Sequence, residues 1–166
     1  MTNFKEDTDR CQLSRIMTEI LLFRLMGIMN SILVSTDFSP ASWKAFQVAI
    51  ELQKKYGSNM CLFHVFPNDN QYTVNLMTRM TTLKKNMERL ANDMVDSKEI
   101  EIETVVVSGN VSDELEGFAS DNNFDLVVMG VNGNGEDNRP GSHTIKLLEK
   151  STVPVLVVPN ESASNA

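Results

Sequence analysis

The sequence has few of the residues that would indicate metal binding, disulfides or contact with nucleic acid. It contains two cysteines, Cys11 and Cys61, and two histidines, His64 and His143. Neither pair has metal-ligand spacing, so no metal site is expected, and isolated cysteines are typical of reduced thiols in the cytoplasm. The net charge of -7 comes without a cluster of lysine and arginine, which argues against nucleic acid as a partner.

A long hydrophobic run is also missing. The most apolar stretch near the N-terminus covers residues 20–28, and Arg24 interrupts it. This stretch is too short and too charged to cross a bilayer, and it has no small-residue cleavage site typical of a secretory signal. Hydrophobic residues make up 42% of the chain and charged residues 22%, which is the composition of one globular domain.

The first 28 residues differ from the rest, and two interpretations of them stay open. Residues 1–12 are polar. Apolar residues at helical spacing follow: Leu13, Ile16, Met17, Ile20, Leu21 and Ile28. Either Met29 is the translation start and the N-terminal extension is an artefact, or residues 1–28 contain an amphipathic helix that docks on the body, a partner or a membrane surface. The domain itself is predicted to cover residues 29–160, followed by a tail, 161–166.

From Ser31 onward, short apolar segments alternate with helical patterns. Strands are predicted at residues 32–35, 60–66, 102–107, 126–129 and 153–158. Helices are predicted at residues 40–56, 72–97, 112–122 and 142–150; the first has Ser39 as its N-cap and Gly57 as its stop. The pattern predicts a doubly wound α/β fold: a five-stranded parallel sheet with helices on both faces, in strand order 3-2-1-4-5 or 2-1-3-4-5.

A candidate ligand site follows from this fold, because open parallel sheets bind ligands where the strand order reverses. Gly130 and Gly133 follow the fourth strand, and Gly141 with Ser142 opens the last helix. Glycine lets backbone approach a ligand and a helix N-terminus offers free N–H groups, so this segment predicts a phosphate-binding loop. In order 3-2-1-4-5 this loop lies beside Asp37, which follows the first strand.

Asp37 has two possible roles. Its carboxylate can accept hydrogen bonds from ribose hydroxyls or from an adenine amino group, or it can be a turn residue ahead of the Ser39 N-cap. Efficient catalysis is not expected, because the sequence shows no candidate general base and no pair of carboxylates at a spacing typical of an active site. His143 follows Ser142 without an acidic partner or a nucleophile, and His64 is interpreted as a core or rim histidine.

Four segments together resemble the universal stress protein family: ILVSTDFSPAS (32–42), LFHVFP (62–67), FDLVVMGVNG (124–133) and GSHTIKLLEKSTVPVLVVP (141–159). The resemblance implies strand order 3-2-1-4-5 in an adenine nucleotide alpha hydrolase-like fold, a homodimer, and a cytoplasmic role in the stress response. It also implies a choice between two functions, because some members of the family bind ATP and others do not. If this chain binds ATP, Mg²⁺ is the cofactor expected to accompany it.

ATP-binding members of the family have the motif Gly-x2-Gly-x9-Gly-Ser/Thr. By similarity, six residues would hold the nucleotide: Asp37 at the adenosine, the backbone of Val65 at the adenine edge, and Gly130, Gly133, Gly141 and Ser142 at the phosphates. In this chain only seven residues separate the second glycine from the third.

The shortened loop also carries Glu136 and Asp137, which would repel phosphate unless a divalent cation lies between, and Arg139 is its only basic residue. Two functions therefore stay open. The first is an ATP-binding stress module with at most very slow ATP hydrolysis. The second is a dimeric stress or interaction protein with a degenerate site.

The last strand, between Val153 and Val158, is expected to form the homodimer, because in order 3-2-1-4-5 it is an apolar edge strand. Val155→Asp or Val157→Asp is then expected to give a monomer or an aggregate. At the phosphate-binding loop, Gly130→Val is expected to abolish nucleotide binding and leave the fold largely intact.

Overall fold

The computed structural model describes residues 29–67, 75–95, 100–131 and 140–159. Its strands are β1 Ser31–Ser35, β2 Asn59–Pro67, β3 Ile102–Gly109, β4 Leu126–Gly130 and β5 Val155–Val158. Its helices are α1 Pro40–Tyr56, α2 Leu76–Met94, α3 Val111–Asp121 and α4 Ser142–Lys150. The predictions for the N-terminal extension, the loop 132–139 and the tail lie outside the described residues.

The five strands form one parallel sheet in the order β3-β2-β1-β4-β5. In the centre, Ile32 of β1 pairs with Met60 of β2 on one side and with Leu126 of β4 on the other. Of the two orders that the pattern allowed, the structure has the one that the family resemblance implied. The chain reverses its direction of winding between β1 and β4, so the switch point lies at their carboxyl ends.

The core consists of two apolar layers, one on each face of the sheet. On the first face, Ile32 and Val34 pack against Phe46 of α1 and Met87 of α2. On the second face, the layer includes Leu33, Phe63 and Val127 of the sheet, Leu115 of α3 and Leu147 of α4. Because both faces are covered, the central strands are apolar throughout, and each fully buried large side chain stabilises the fold by about 1.5–3 kcal/mol.

Both predicted ends of α1 are confirmed. The Ser39 hydroxyl accepts a hydrogen bond of 3.2 Å from the Ser42 amide, and Pro40 occupies the first turn. At the other end, Gly57 has φ 68°, the left-handed conformation that glycine adopts at little cost, and its amide donates to the Gln53 carbonyl. Because α1 begins directly after the turn that follows β1, its N-terminus lies at the switch point.

Two strand limits differ from the prediction. β3 continues to Gly109, where a turn was expected, because Gly109 still pairs with Pro67 of β2. β5 begins at Val155 instead of Val153, because the Ser151 hydroxyl bonds both the amide and the carbonyl of Val153 and holds that residue in a turn. The edge strand available for a partner is therefore four residues long.

Candidate functional site

A cavity of about 230 Å³ lies between the carboxyl ends of β1 and β4, at the switch point of the sheet. Its lining comes from the ends of these strands, the start of α1, and the first residues of α3 and α4. The lining residues are Ser35, Asp37, Ser39, Ser42, Val111, Met129, Gly130, Val131, Gly141, Ser142, His143 and Thr144. The fold therefore brings together segments that are about one hundred residues apart in the sequence.

Asp37 lies at the rim of this cavity, with its side chain exposed. One carboxylate oxygen, Oδ1, accepts a hydrogen bond of 3.0 Å from the Ser39 amide. The turn role considered for Asp37 is therefore present in the structure. The other oxygen, Oδ2, has no partner among the described residues, which leaves it able to accept a hydrogen bond from a ligand.

Gly130 closes the bottom of the cavity against α1. A Cβ atom at this position would lie 2.6 Å from the carbonyl carbon of Ala41 and 2.9 Å from the Ser42 amide nitrogen. The close approach that requires glycine here is thus between β4 and α1. The expectation that Gly130→Val would leave the fold largely intact is wrong, because the added side chain would collide with helix backbone.

The N-terminus of α4 faces the cavity with free backbone groups. Gly141 is its N-cap and makes no side-chain hydrogen bond, and the first turn holds no acidic residue. The Val131 carbonyl accepts from the Gly141 amide at 3.1 Å and from the Thr144 hydroxyl at 3.4 Å, which fixes α4 to the end of β4. The unbonded N–H groups and the helix dipole together favour an anion at this point.

The start of α3 differs from that of α4. The Asn110 side chain accepts hydrogen bonds from the amides of Ser112 and Asp113, so these two donors of its first turn are already used. Asp113 and Glu114 also add negative charge there. The start of α3 is therefore less suited to an anion than the start of α4.

Four of the six predicted site residues line the cavity together: Asp37, Gly130, Gly141 and Ser142. Gly133 lies outside the described residues. Val65 is buried in β2 and packs in the layer on the second face, and it is not among the residues that line the cavity.

Sequence reasoning missed several lining residues, among them Val111, Met129 and Thr144. Met129 and Val111 lie close to the carboxyl ends of strands, and the rule that parallel sheets bind ligands at those ends could have identified them. Within the described part of the lining, Asp37 and His143 are the only acidic or basic side chains. A phosphate group at this place would therefore be held by backbone N–H groups and serine or threonine hydroxyls, and not by a lysine or arginine.

The described residues give two further results. None of their helices is long and apolar enough to cross a membrane. They also contain no group of three or more His, Cys, Asp or Glu side chains that could hold a metal ion.

The fold and the cavity define an open, doubly wound α/β protein with its candidate ligand site at the switch point. The sequence model of the universal stress protein family matches residues 29–159. The chain belongs to the universal stress protein family.

Individual relatives agree with this assignment. The chain is 26% identical to universal stress protein YxiE of Bacillus subtilis over 148 residues, which cover 79% of this chain and 99% of the relative. It is 25% identical to universal stress protein MJ0577 of Methanocaldococcus jannaschii over 162 residues, 83% of this chain and all of the relative (100%).

Solved structures show the same fold. A structure of MJ0577 matches with a TM-score of 0.67 at 23% identity and covers 81% of this chain and 98% of its own. A universal stress protein in complex with cAMP matches with a TM-score of 0.62 at 20% identity, covering 79% of this chain and 97% of its own. A universal stress protein from Archaeoglobus fulgidus in complex with dAMP has a TM-score of 0.61 at 17% identity, covering 79% and 98%.

Proposed function

We propose that this protein is a nucleotide-binding module of the stress response that binds ATP in the cavity between β1 and β4. The observation that carries the proposal is the convergence of Asp37, Gly130, Gly141 and Ser142 at one cavity. Two structural neighbours in complex with cAMP and dAMP support an adenine nucleotide as the ligand class.

In this proposal each part of the nucleotide meets a different part of the site. The free Oδ2 of Asp37 accepts a hydrogen bond from the adenosine. Val65 does not line the cavity, so the adenine is proposed to extend beyond it along the sheet edge to reach the Val65 backbone on β2. The phosphates lie at the end of β4 and the start of α4, beside Gly130, Gly141 and Ser142, where the first-turn amides of α4 and the Ser142 hydroxyl can donate. Gly133 is proposed to contact them as well.

The oxygen ligands available in the cavity decide how Mg²⁺ would be held. Within the described residues, Asp37 is the only carboxylate that lines the cavity. Mg²⁺ commonly keeps several waters and binds through nucleotide phosphates, so it would enter with ATP and not occupy a site built by the protein alone. There it would offset the negative charge of phosphate oxygens. We assign no catalytic residue, and hydrolysis of ATP would be very slow at most.

A second candidate function is a dimeric stress or interaction protein whose nucleotide site is degenerate. The observation that favours it is the loop of seven residues between Gly133 and Gly141, with Glu136 and Asp137 in it. No basic side chain lines the described part of the cavity apart from His143, so little charge opposes these carboxylates.

Both functions are compatible with a cytoplasmic homodimer that pairs through β5. Leu156 of this edge strand is 37% exposed, and pairing between two copies of β5 would cover it. The domain is proposed to span residues 29–160, with residues 1–28 as an extension and 161–166 as a tail.

The experiment that separates the two functions is direct. The purified full-length protein is denatured and the supernatant is analysed for released nucleotide by mass spectrometry. The protein is then titrated calorimetrically with Mg-ATP, AMP, cAMP and dAMP. Binding of ATP supports the first function. Binding of AMP or cAMP but not of ATP would mean that the ligand is a different adenine nucleotide. If none of these nucleotides binds, the second function, a degenerate site, is supported.

A further inference from the structure

The turn that carries Asp37 contains a strained residue. Phe38 has φ 64°, in the left-handed region that bulky side chains rarely adopt. A residue in this conformation is strained and persists only where its surroundings hold it. The structure must therefore contain interactions that keep Phe38, and with it Asp37, in this arrangement.

Thr36 provides the first of these interactions. Its side chain is buried, and its hydroxyl oxygen accepts a hydrogen bond of 3.1 Å from the Phe38 amide. The same hydroxyl lies 3.0 Å from the Ser42 hydroxyl in the first turn of α1. Residue 37 is therefore placed between two residues that are bonded to each other.

His64 of β2 provides the second. Its Nδ1 lies 2.8 Å from the Thr36 carbonyl oxygen. Because a carbonyl can only accept, Nδ1 carries the proton and donates. The imidazole ring also packs against the Phe38 ring, with 4.7 Å between the ring centroids. One side chain thus contacts both neighbours of Asp37.

His64, unlike Asp37, does not line the cavity. We propose that His64 is a positioning residue that fixes the direction of the Asp37 carboxylate toward a ribose-bearing nucleotide. The ligand in this statement rests on the proposed function. Loss of the Nδ1 donor leaves the Thr36 carbonyl without its bond and lets Phe38 relax out of the left-handed region, and Asp37 turns with it.

The first test observes the turn without any ligand. Backbone amide exchange of Phe38 and Ser39 is measured by NMR in the wild-type chain, in His64→Leu and in His64→Asn. The Asn amide nitrogen can take the place of Nδ1, so His64→Asn keeps the donor and Leu removes it. We expect both amides to lose protection in His64→Leu and to retain most of it in His64→Asn. Unchanged protection in His64→Leu overturns the proposal.

The second test is a double-mutant cycle with Asp37→Ala, read by calorimetric titration with Mg-ATP. His64→Leu is expected to weaken binding about as much as Asp37→Ala, on the order of tenfold, and to have no further effect in the Asp37→Ala chain. Additive losses would mean that His64 acts independently of Asp37, which contradicts the proposal. Thermal unfolding of each variant checks the fold. If His64→Leu does not fold, His64→Gln, whose amide lies where Nε2 was, replaces it in both tests.

The two tests separate this inference from the proposed function. A wild-type chain that binds no adenine nucleotide contradicts the proposed function, and amide exchange then decides alone whether His64 holds the Asp37 turn. The opposite result is also informative. If the wild-type chain binds Mg-ATP, and His64→Leu changes neither amide protection in the turn nor the affinity, the proposed function stands and the role of His64 is contradicted.

Discussion

Gly130 at the end of β4 faces the backbone of Ala41 in α1 so closely that a Cβ would lie 2.6 Å from the Ala41 carbonyl carbon. This contact sets the distance between the end of β4 and the start of α1, the two segments on either side of the candidate site. A position that looked like part of a phosphate-binding loop is therefore also a packing requirement of the fold.

The first prediction compares two glycines. Gly130→Ala should lower the free energy of unfolding by about 1–3 kcal/mol, because helix backbone has little room to yield. Gly117→Ala is the matched control, since a Cβ there meets nothing within 4 Å. It should raise the stability of the protein by about 0.5–1 kcal/mol, because alanine favours a helix interior. Urea denaturation measures both, and an unchanged midpoint in Gly130→Ala would contradict the packing argument.

The second prediction concerns Asp37. Asp37→Ala should weaken Mg-ATP binding about tenfold or more, or ~1.4 kcal/mol, because the ligand loses its acceptor. Asp37→Asn should weaken binding less, since the amide oxygen can still accept from the Ser39 amide. Asp93→Ala, at another exposed aspartate on α2, is the control. Calorimetric titration gives the affinities, and equal binding by Asp37→Ala and Asp93→Ala would exclude a role in the site.

The third prediction concerns the loop between Gly133 and Pro140. Adding two residues and replacing Glu136 and Asp137 with lysine should strengthen ATP binding about tenfold, because phosphate oxygens no longer meet like charge. The lengthened loop with both carboxylates kept serves as the control for length alone. If neither variant gains affinity, loop length and charge do not limit binding.

The fourth prediction corrects the choice of residue in β5. Val155 and Val157 are half-buried and pack in the layer on the second face, so neither points outward. Leu156 is exposed instead. Leu156→Asp should therefore shift a β5 homodimer to monomer, because a charge would be buried at the contact.

Met77→Asp, at an exposed apolar residue on α2, is the matched control and should leave the dimer unchanged. Light scattering with sedimentation analysis measures the mass of each variant. A wild-type chain that is a stable monomer would contradict pairing through β5.

The fifth prediction follows from Cys61, which is 2% exposed. Burial, with the nearby Glu103 carboxylate, raises the pKa of the Cys61 thiol from 9.0 to about 12. The folded protein therefore keeps the thiol proton that the unfolded chain loses above pH 9.0. Cys61 favours the folded state fully below that pH, and its contribution is lost as the pH rises toward 12.

The measurement is the free energy of unfolding between pH 8 and 11 in a Cys11→Ser background. The decline should be smaller in Cys61→Ala, which lacks the titrating thiol. The native Cys61 thiol should also resist alkylation at pH 8, since little thiolate forms. Rapid alkylation of the folded chain would contradict this account of the buried thiol.

The sequence determined the elements of the fold, because their signals are local. Ser39, Pro40 and Gly57 fix the ends of α1 through caps that involve residues only a few positions away. The apolar strands of the sheet are evident because both of its faces are buried. Placing Asp37 and Gly130 at one switch point needed the strand order as well, which the family resemblance implied and the pattern alone did not.

Tertiary structure decided what depends on contacts between distant residues. The pattern allowed two strand orders, and only the family resemblance favoured the one that is present. The role of Gly130 depends on its close contact with Ala41. Which residues of β5 are exposed depends on the apolar layer against which the strand packs. The turn at Asp37 depends on His64, which is 27 positions away along the chain. Contacts between residues so far apart in the sequence are set by the packing of helices against the sheet, and no local pattern of residues predicts them.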